Sequence, residues 1–525
     1  MRSLRTYLDK LRRTAPDQLL TVEEPVDWRY EVTRRVAETK KTTGNPALLF
    51  MNVRGYSMPL LVNLFGNVDR IHLGLDGAQV TGGRLDFYRD WNRLFGGDVP
   101  PVHVDDGPVK EVIQKGSEVD LESLPIPLFY EQDGGRYVTA GLLTARNPED
   151  SSEVNLSYVR MHLKGRDRFG VSLHSRGHMW QYYERAKAAG EPLEVAVTIG
   201  AHPALYLAAA AKITGEYGKA GALQGEAVEL VGCETVDVPV PSQAEVVLEG
   251  VVTLDEEDEG PFTEYTGYIS GRSTRNQLRV TAVTRRRDAV FLAVAPSNSA
   301  EHLLLSGLPK QARISRAIID YTHTPALKDI IWPVWGTHFA CFISLSDTVG
   351  GTPGLAKHIA LLLMGLDHYV KLVAVLPEAV DVSDVADVLE AVARRCDFRE
   401  GSDVEVLGEV FSQWLDPSSP QAGVSSKMIL DATGPEIGGE TRLCVVKPGP
   451  DADPMDVLGD EACGRYRLIV CVDDDIDVSD HRHVLWAVAT RSQPDRDAVT
   501  REGRMVIDAR KGRGWTATRA TLPST

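Results

Sequence analysis

The chain has 525 residues, of which 43% are hydrophobic and 25% charged, and its 57 Lys and Arg against 74 Asp and Glu give a net charge of −17. A chain of this length and composition can bury several cores, so the sequence excludes a disordered protein and one that depends on disulfides. The acidic surplus argues against a nucleic-acid partner, because such partners are bound by clustered Lys and Arg.

The N-terminus and the cysteines indicate where the protein resides. Residues 1–18 have the apolar spacing of a surface helix and lack the hydrophobic core of a signal peptide. The six cysteines form no CxxC pair, as is usual in a reducing compartment. The longest apolar stretch, at 204–211, is too short to span a bilayer. We therefore expect a cytoplasmic protein with no membrane partner.

Strand and helix patterns predict an α/β (α+β) fold with consecutive segments. Residues 1–115 alternate helical patterns with short apolar runs and predict an N-terminal α/β domain. Residues 116–307 consist mainly of alternating strand patterns and predict a β-barrel domain. A predicted linker helix at 308–322 then opens a C-terminal α/β domain, which we place at 308–440.

The C-terminal part contains an internal repeat. Residues 380–395 and 476–491 are identical at ten of 16 positions, and each copy follows an apolar strand. The repeated unit is a strand, an Asp-rich turn that can cap a helix, and a helix. We therefore interpret residues 441–525 as an extension that repeats the unit at 371–395. The second copy can be purely structural, as a strand and helix added to a sheet.

The segment 255–268 is the densest candidate for acid–base chemistry. Residues 255–258 are all acidic and are interpreted as a solvated turn. Glu259 and Glu264 differ from them because Gly260-Pro261 bends the chain in between. Such a bend can direct two carboxylates into one cavity, where they can divide the roles of acid and base.

A second candidate set combines Asn155, Arg160, His178 and Glu216. Asn155 and Arg160 lie five residues apart on a predicted strand, so without a bulge they face opposite sides. The amide, imidazole and carboxylate offer oxygen and nitrogen ligands that suit Mn²⁺ or Mg²⁺. On sequence alone, a lone His is more often an ordinary core residue than a metal ligand. Motifs for dinucleotides, P-loops, serine hydrolases and zincins are absent from the sequence.

Several longer stretches are specific enough to compare with known families. The most specific is GCETVDVPVPSQAEVVLEGVV (232–252) followed by EGPFTEYTGY (259–268). The stretches NPALLFMNVRGY, NLFGN, LPIPLFYEQDGGRYVTAG and SSKMILDATGPE (425–436) support it. Together they resemble the UbiD family of reversible decarboxylases, in its aromatic and heteroaromatic acid branch, and the resemblance covers most of the chain.

The resemblance implies a flavin site with a metal. In this family an Asn, a His and a Glu hold the metal that grips the flavin phosphate, and by motif these are Asn155, His178 and Glu216. The implied cofactors are prenylated FMN, Mn²⁺ and a nearby K⁺, and the central domain is implied to be a split β-barrel. The expected prenylated-FMN-binding residues are Asn155, Ser157, Val159, Arg160, Gly177, His178 and Glu216.

The resemblance also implies the catalytic set Arg160, Glu259 and Glu264. Loss of CO₂ from an aromatic acid leaves a carbanion, which needs an electron sink that a cofactor supplies better than a side chain. The expected reaction is a reversible non-oxidative decarboxylation through a covalent prenylated-FMN adduct. Glu264 is expected to donate the proton, while Arg160 pairs with Glu259 and orients the substrate carboxylate.

The segment 295–311 is expected to contribute to the substrate pocket. His302, Leu303 and Leu305 suggest an apolar slot with one hydrogen-bonding group. This suits a flat acid of the phenazine, indole, pyrrole or benzoate type. The expected partners are this acid, CO₂, a flavin prenyltransferase that supplies the cofactor, and further copies of the chain in a homodimer or larger homo-oligomer.

One family feature is missing, and alternatives remain open. A Lys that contacts the flavin phosphate in some members has no match near Gly365, and Lys371 and Lys427 are weak substitutes. The alternatives are a flavin-binding split-barrel oxidoreductase, which would not need Glu259 and Glu264, and a non-catalytic cofactor-binding or assembly homologue. The intact catalytic set argues against the second alternative.

Overall fold

The computed structural model describes residues 1–39, 44–78, 83–173, 177–322, 326–399, 401–437, 443–449, 451–512 and 515–523. The chain divides into two units, Met1–Ala312 with Arg519–Thr525, and Arg313–Thr518. Both units mix helices and strands, which confirms the predicted α/β (α+β) class. No helix among the described residues has the length and hydropathy to span a bilayer.

The first unit contains the central sheet and the candidate site. Its helices are α1 (Leu4–Thr14), α2 (Glu31–Thr39), α3 (Val68–Leu73), α4 (Gly83–Phe95), α5 (His178–Ala188), α6 (Pro203–Ala210), α7 (Glu216–Gln224) and the start of α8 (Ala300–Thr322). Its strands are β1 (Leu19–Val22), β2 (Ala47–Phe50), β3 (Leu60–Val62), β4 (Val102–His103), β5 (Val112–Lys115), β6 (Tyr137–Asn147), β7 (Asp150–Gly165), β8 (Arg168–Val171), β9 (Leu193–Ile199), β10 (Glu229–Gly232), β11 (Pro239–Pro241), β12 (Val246–Glu259), β13 (Phe262–Thr263), β14 (Ile269–Ser270), β15 (Ser273–Arg285) and β16 (Phe291–Leu292).

The central sheet closes on itself. Its strand order is β12-β9-β6-β7-β8-β15-β5, and β15 also pairs with β12, so that the hydrogen-bonded order returns to its start. Smaller sheets have the orders β1-β2-β3-β16 and β11-β10-β4. The apolar side chains of β6 and β9 are almost fully buried, as the β-rich pattern of this region predicts.

The acidic run at 255–258 is part of strand β12 and forms no turn. Glu256 lies opposite Asn276 and Asp258 lies opposite Thr274 on β15. The prediction of a turn is wrong because the acidic side chains stay largely in water while the backbone keeps its strand pairing. The bend comes at Gly260, whose φ of +89° suits glycine and whose added Cβ would lie 2.7 Å from the Gly271 carbonyl oxygen.

Helix α8 begins earlier than the predicted helix at 308–322. It starts at Ala300, and Pro309, which the sequence pattern places near the start of the helix, lies in its interior. The hydroxyl of Ser299 accepts a hydrogen bond from the His302 N–H at 3.2 Å and caps the first turn. The predicted pocket residues are therefore helical.

The second unit contains both copies of the repeat. After α8 its strands are β17 (Leu327–Ile331), β18 (Ala340–Leu345), β19 (Leu372–Pro377), β20 (Val404–Phe411), β21 (Val424–Asp431), β22 (Leu443–Val446), β23 (Leu468–Cys471), β24 (Ala498–Arg501) and β25 (Arg504–Asp508). Its helices are α9 (Asp347–Gly350), α10 (Leu355–Leu366), α11 (Val385–Arg395), α12 (Pro454–Gly459), α13 (His481–Arg491) and α14 (Pro494–Asp497).

Each copy of the repeat forms the predicted strand, capped turn and helix. The carboxylate of Asp384 accepts from the Ala386 N–H at the start of α11, and that of Asp480 accepts from the Arg482 N–H at the start of α13. The two strands belong to different sheets, with the orders β17-β18-β19-β21-β20 and β22-β23-β25-β24. The second copy therefore belongs to a sheet of its own, separate from the sheet that contains the first copy.

Candidate active site and metal site

Strand β7 positions residues of both candidate sets. Asn155 lies opposite Ala145 and Val159 lies opposite Gly141 on β6, with regular pairing between them. The register shift in this part of the sheet lies beyond Val159, opposite the stretch of β6 between Val138 and Gly141. Asn155 and Arg160 are five positions apart on the strand, which at about 3.3 Å per residue amounts to about 16 Å. The two sets are therefore separate clusters along one strand.

Arg160 binds both predicted carboxylates. Its Nε and Nη2 donate to the two oxygens of Glu259 at 2.9 and 3.0 Å, and its Nη1 donates to Oε1 of Glu264. The guanidinium also lies over the Phe262 ring, 4.8 Å from its centroid. Burial disfavours the charged guanidinium, but the two carboxylates outweigh it and raise the pKa of Arg160. The sequence-predicted catalytic residues thus form one ion triad.

The two carboxylates of the triad are not equivalent. Glu259 is 0% exposed and commits both oxygens to Arg160. Glu264 is 8% exposed and commits Oε1, while among the described residues its Oε2 accepts no hydrogen bond. Glu259 is therefore a fixed anion, whereas Glu264 has an oxygen available to carry a proton.

Tyr137 holds the bend between the two carboxylates. Its hydroxyl accepts a hydrogen bond from the Gly260 N–H at 3.0 Å and donates to the Pro261 carbonyl oxygen at 3.3 Å. The same hydroxyl lies 3.1 Å from Nδ1 of His162, whose ring stacks on Tyr137 with centroids 4.5 Å apart. Burial and the charge of Lys164 lower the pKa of His162 to about 4, so the ring is neutral at pH 7.

The three predicted metal ligands lie together at the other cluster. Asn155 Nδ2 donates to Glu216 Oε1 at 2.7 Å and lies 3.5 Å from Nδ1 of His178. His178 is the first residue of helix α5 and Glu216 the first residue of α7. The N-terminal ends of both helices therefore lie at this cluster. Helix N-termini favour binding of an anion such as a phosphate.

The remaining predicted flavin residues adjoin this cluster. The Ser157 hydroxyl donates to Oδ1 of Asn155 at 2.7 Å, and Gly177 is the N-cap residue of α5. Val159 is buried on β7, at 4% exposure.

An orphaned oxygen makes the cluster suitable for a cation. Oε2 of Glu216 is buried and has no hydrogen-bond partner among the described residues, although the residue is only 3% exposed. Burial raises the pKa of Glu216 to about 8, because no positive charge compensates its carboxylate. The described residues contain no group of three or more His, Cys, Asp and Glu that could hold a metal. Our candidate cation site is therefore the mixed set of amide, imidazole and carboxylate from Asn155, His178 and Glu216.

Among the predicted pocket residues that the structure describes, His302 lies near Glu264. Its ring meets the Tyr265 ring edge-on, with centroids 6.1 Å apart. Burial lowers the pKa of His302, against the opposing effect of the Glu264 carboxylate. Leu303 and Leu305 are both buried, at 3% exposure, on the same helix.

The two substitute lysines are engaged elsewhere. The ammonium of Lys371 contacts Asp416, Ser418 and the Ser492 carbonyl oxygen, all at 2.9 Å, which uses its three donors. Lys427 donates to the carbonyl oxygens of two residues of its own unit, at 3.0 and 2.6 Å. The three donors of Lys371 are therefore engaged within its own unit, and it stays a weak substitute for the missing lysine.

Sequence reasoning missed the residues that support the triad. Tyr137 and His162 hold the Gly260 bend, and Asp133 accepts hydrogen bonds from the Thr263 N–H and hydroxyl, both at 2.8 Å. Burial raises the pKa of Asp133 to about 6. The Asp-Gly-Gly sequence at 133–135 is typical of a tight turn and could have drawn attention to Asp133. Tyr137 and His162 read as ordinary strand residues.

Models of the 3-octaprenyl-4-hydroxybenzoate carboxy-lyase family, UbiD, match most of this chain. The N-terminal domain model matches residues 11–84, and the Rift-related domain model matches 101–299. The C-terminal domain model matches 304–432 and 455–510. The central match contains both polar clusters of strand β7.

Solved structures of UbiD-class enzymes resemble the chain over nearly their whole length. HmfF from Pelotomaculum thermopropionicum, in complex with FMN, is 36% identical over 82% of this chain and 94% of its own, with a TM-score of 0.74. An evolved dimeric HmfF from the same organism, in complex with prFMN, is 32% identical over 87% and 100%, with a TM-score of 0.72. The apo 3,4-dihydroxybenzoic acid decarboxylase AroY from Klebsiella pneumoniae is 26% identical over 88% and 100%, with a TM-score of 0.76.

Proposed function

The chain belongs to the UbiD family of carboxy-lyases, and from that premise we propose that it catalyses the reversible non-oxidative decarboxylation of a flat aromatic or heteroaromatic acid. The observation that carries this proposal is the ion triad. Arg160 binds both oxygens of Glu259 but only one oxygen of Glu264, so the second oxygen of Glu264 is available. Such a site can orient an acid and also exchange a proton with it.

The proposed cofactor is prenylated FMN. The FMN and prFMN complexes of HmfF support this choice, since they bind a flavin in a related chain. When bound, the prenylated flavin supplies the electron sink that loss of CO₂ from an aromatic carbon requires. We infer that a flavin prenyltransferase supplies the cofactor. An isolated side chain of this protein offers no comparable sink.

We assign the cluster at Asn155 to Mn²⁺ and the flavin phosphate. Asn155, His178 and Glu216 would hold the metal, with a K⁺ nearby, and Ser157, Val159 and Gly177 would border the flavin. The orphaned oxygen of Glu216 and the N-terminal ends of α5 and α7 support this assignment. The two clusters lie about 16 Å apart along strand β7, and we place the mononucleotide between them.

The triad residues divide the chemical work. Arg160 orients the substrate carboxylate while Glu259 fixes the guanidinium in a buried bidentate pair. Once CO₂ has left, Oε2 of Glu264 delivers the proton to the same carbon. In the direction of carboxylation Glu264 accepts that proton, which accounts for reversibility.

The proposed substrate is a monocarboxylate on a flat ring. The neutral His302 and the Tyr265 ring lie beside Glu264, where they offer an aromatic surface and one hydrogen-bonding group. The match to a 3,4-dihydroxybenzoic acid decarboxylase favours benzoate-type acids, and indole, pyrrole and phenazine acids fit the same features. The dimeric form of HmfF supports a homo-oligomer as the working state.

Co-expression with a flavin prenyltransferase tests this function. The purified protein is expected to release CO₂ from at least one acid in a panel of benzoate, indole, pyrrole and phenazine carboxylates. In D₂O the carbon that loses CO₂ should gain deuterium. Protein from cells without the prenyltransferase is the control and should be inactive. Reductant oxidation without CO₂ release would indicate a flavin oxidoreductase instead, and bound flavin without any turnover would indicate a non-catalytic homologue.

A further inference from the structure

The segment 519–523 lies on the hairpin that carries Glu264. The Ala520 N–H donates to the Gly267 carbonyl oxygen at 2.9 Å, and Arg519 forms a β-bridge with Tyr268. This segment lies beyond residue 510, where the family model ends. The segment thus pairs with the hairpin through a single antiparallel β-bridge.

The same segment is also fixed to the turn at 130–134. The Thr521 N–H donates to the side-chain oxygen of Gln132 at 2.9 Å, and the Thr521 hydroxyl lies 3.0 Å from Oε2 of Glu131. The Glu131 N–H donates in turn to the Thr521 carbonyl oxygen at 3.3 Å. The segment therefore joins the turn of the hairpin to a neighbouring turn of the same unit.

The turn at 130–134 contacts the other arm of the hairpin. Asp133 accepts from the N–H and the hydroxyl of Thr263, and the Gly134 N–H donates to the Pro261 carbonyl oxygen at 2.7 Å. Glu264 follows Thr263 directly. The hairpin is thus supported on its first arm by Asp133 and at its turn by Ala520.

The hairpin needs such support because it is very short. Its pairing consists of Phe262 with Ser270 and Thr263 with Ile269. An isolated two-stranded hairpin is marginally stable in water, and a shorter one is weaker still. Glu264 opens the turn, where the Gly267 N–H donates to its carbonyl oxygen at 2.9 Å. Movement of this turn would therefore move the Glu264 carboxylate relative to Arg160.

We propose that residues 519–521 form a strap that positions Glu264 for proton delivery. The proposal rests on the proposed function, in which Glu264 carries the proton. The strap residues do not touch the reacting atoms and act through the backbone of the hairpin. Their contribution should appear in kcat and in the local stability of the hairpin, and substrate binding should be unchanged.

The test compares Ala520→Pro with Ala520→Val in the full-length protein loaded with prenylated FMN. Proline removes the N–H that binds Gly267, while valine has a similar size and keeps it. Amide hydrogen exchange of peptides covering 262–270 should be about fivefold faster in the proline variant, the effect of one lost hydrogen bond. The kcat should fall about fivefold relative to the valine variant, with KM unchanged.

Equal exchange of 262–270 in the two variants would overturn the strap, and faster exchange with an unchanged kcat would overturn its role in positioning Glu264. If Ala520→Pro does not fold, Thr521→Val is used with the wild type as reference, because it removes the hydroxyl contacts to Glu131 and Gln132 and keeps the backbone contacts to the turn at 130–134. If the wild type turns over no acid, the proposed function fails, and faster exchange then still establishes the strap as a support of the hairpin.

Discussion

Strand β7 contributes to two polar clusters. They differ in how many of their charged groups have hydrogen-bond or ion-pair partners within the protein. At the Arg160 end, two carboxylates bind one guanidinium, and both oxygens of Glu259 are bound. At the Asn155 end, a buried Glu216 oxygen has no partner among the described residues, and burial raises the pKa of Glu216 to about 8. In the first cluster the charged side chains are paired within the protein, whereas in the second a buried carboxylate lacks a positive partner.

This difference indicates separate roles for the two clusters. A complete ion triad keeps its geometry before the substrate arrives, which suits catalysis that depends on preorganised charge. An uncompensated buried carboxylate is costly until a cation binds it, so binding of the proposed metal would also stabilise this part of the fold. Variants at the first cluster should thus change turnover. Variants at the second cluster should change how much metal and flavin the protein retains.

The largest effect is expected from Glu264→Gln. This change removes the proton carrier but keeps the shape of the side chain, so kcat should fall by about 10³-fold. The flavin should remain bound, because the Asn155 cluster is untouched. Rate measurements and flavin absorbance test this, with Glu256→Gln, an exposed carboxylate on strand β12, as the control. An unchanged decarboxylation rate would remove Glu264 from the mechanism.

The next effect is expected from His178→Ala. Loss of one of three ligands should weaken Mn²⁺ binding by about 10²-fold and release metal and flavin together. Metal analysis and flavin occupancy after dialysis measure this, and His103→Ala, on the exposed strand β4, is the control. Full flavin occupancy in the His178 variant would contradict the assignment of the second cluster to a metal.

Local patterns in the sequence were enough to predict the fold class and the repeat. The strand–turn–helix unit depends on an apolar run and a capping Asp, and both are visible in the sequence at Asp384 and Asp480. The start of α8 and the strand at 255–258 were predicted wrongly. The Ser299 cap starts α8 upstream of Pro309, whereas the sequence pattern places Pro309 near the helix start. The pairing of β12 with β15 keeps residues 255–258 in a strand, although their acidic side chains suggest a turn.

The members of each cluster come from distant parts of the chain, so spacing alone could not group them. Resemblance to a family selected Asn155, His178 and Glu216, and it selected Arg160 with its two carboxylates. The supporting residues Asp133 and Tyr137 were missed because they act through backbone groups of the hairpin and its bend, and backbone contacts leave no pattern of side-chain types.

A smaller effect is expected from protonation of His162 behind the triad. Burial and Lys164 lower its pKa to about 4 from an ordinary value of 6.5, so between these values the unfolded chain binds a proton that the folded protein does not. Stability should therefore fall as the pH decreases from about 6.5 to 4, by about 2 kcal/mol from this residue. His162→Gln should flatten that part of the pH profile in denaturant unfolding. A slope equal to that of the wild type would show that other groups cause the acid sensitivity of the triad region.

The smallest effect is expected from Ser157→Ala, which changes the metal cluster only through the orientation of a ligand. The Ser157 hydroxyl donates to Oδ1 of Asn155 at 2.7 Å, and its loss should weaken Mn²⁺ binding about fivefold, the effect of one hydrogen bond. Ser152→Ala is the matched control, since its hydroxyl binds Asp150 at the exposed end of the same strand. Metal titration followed by flavin retention separates the two variants. If they bind Mn²⁺ equally, then Asn155 is already oriented by Glu216, and the second cluster, like the first, is ordered before its ligand binds.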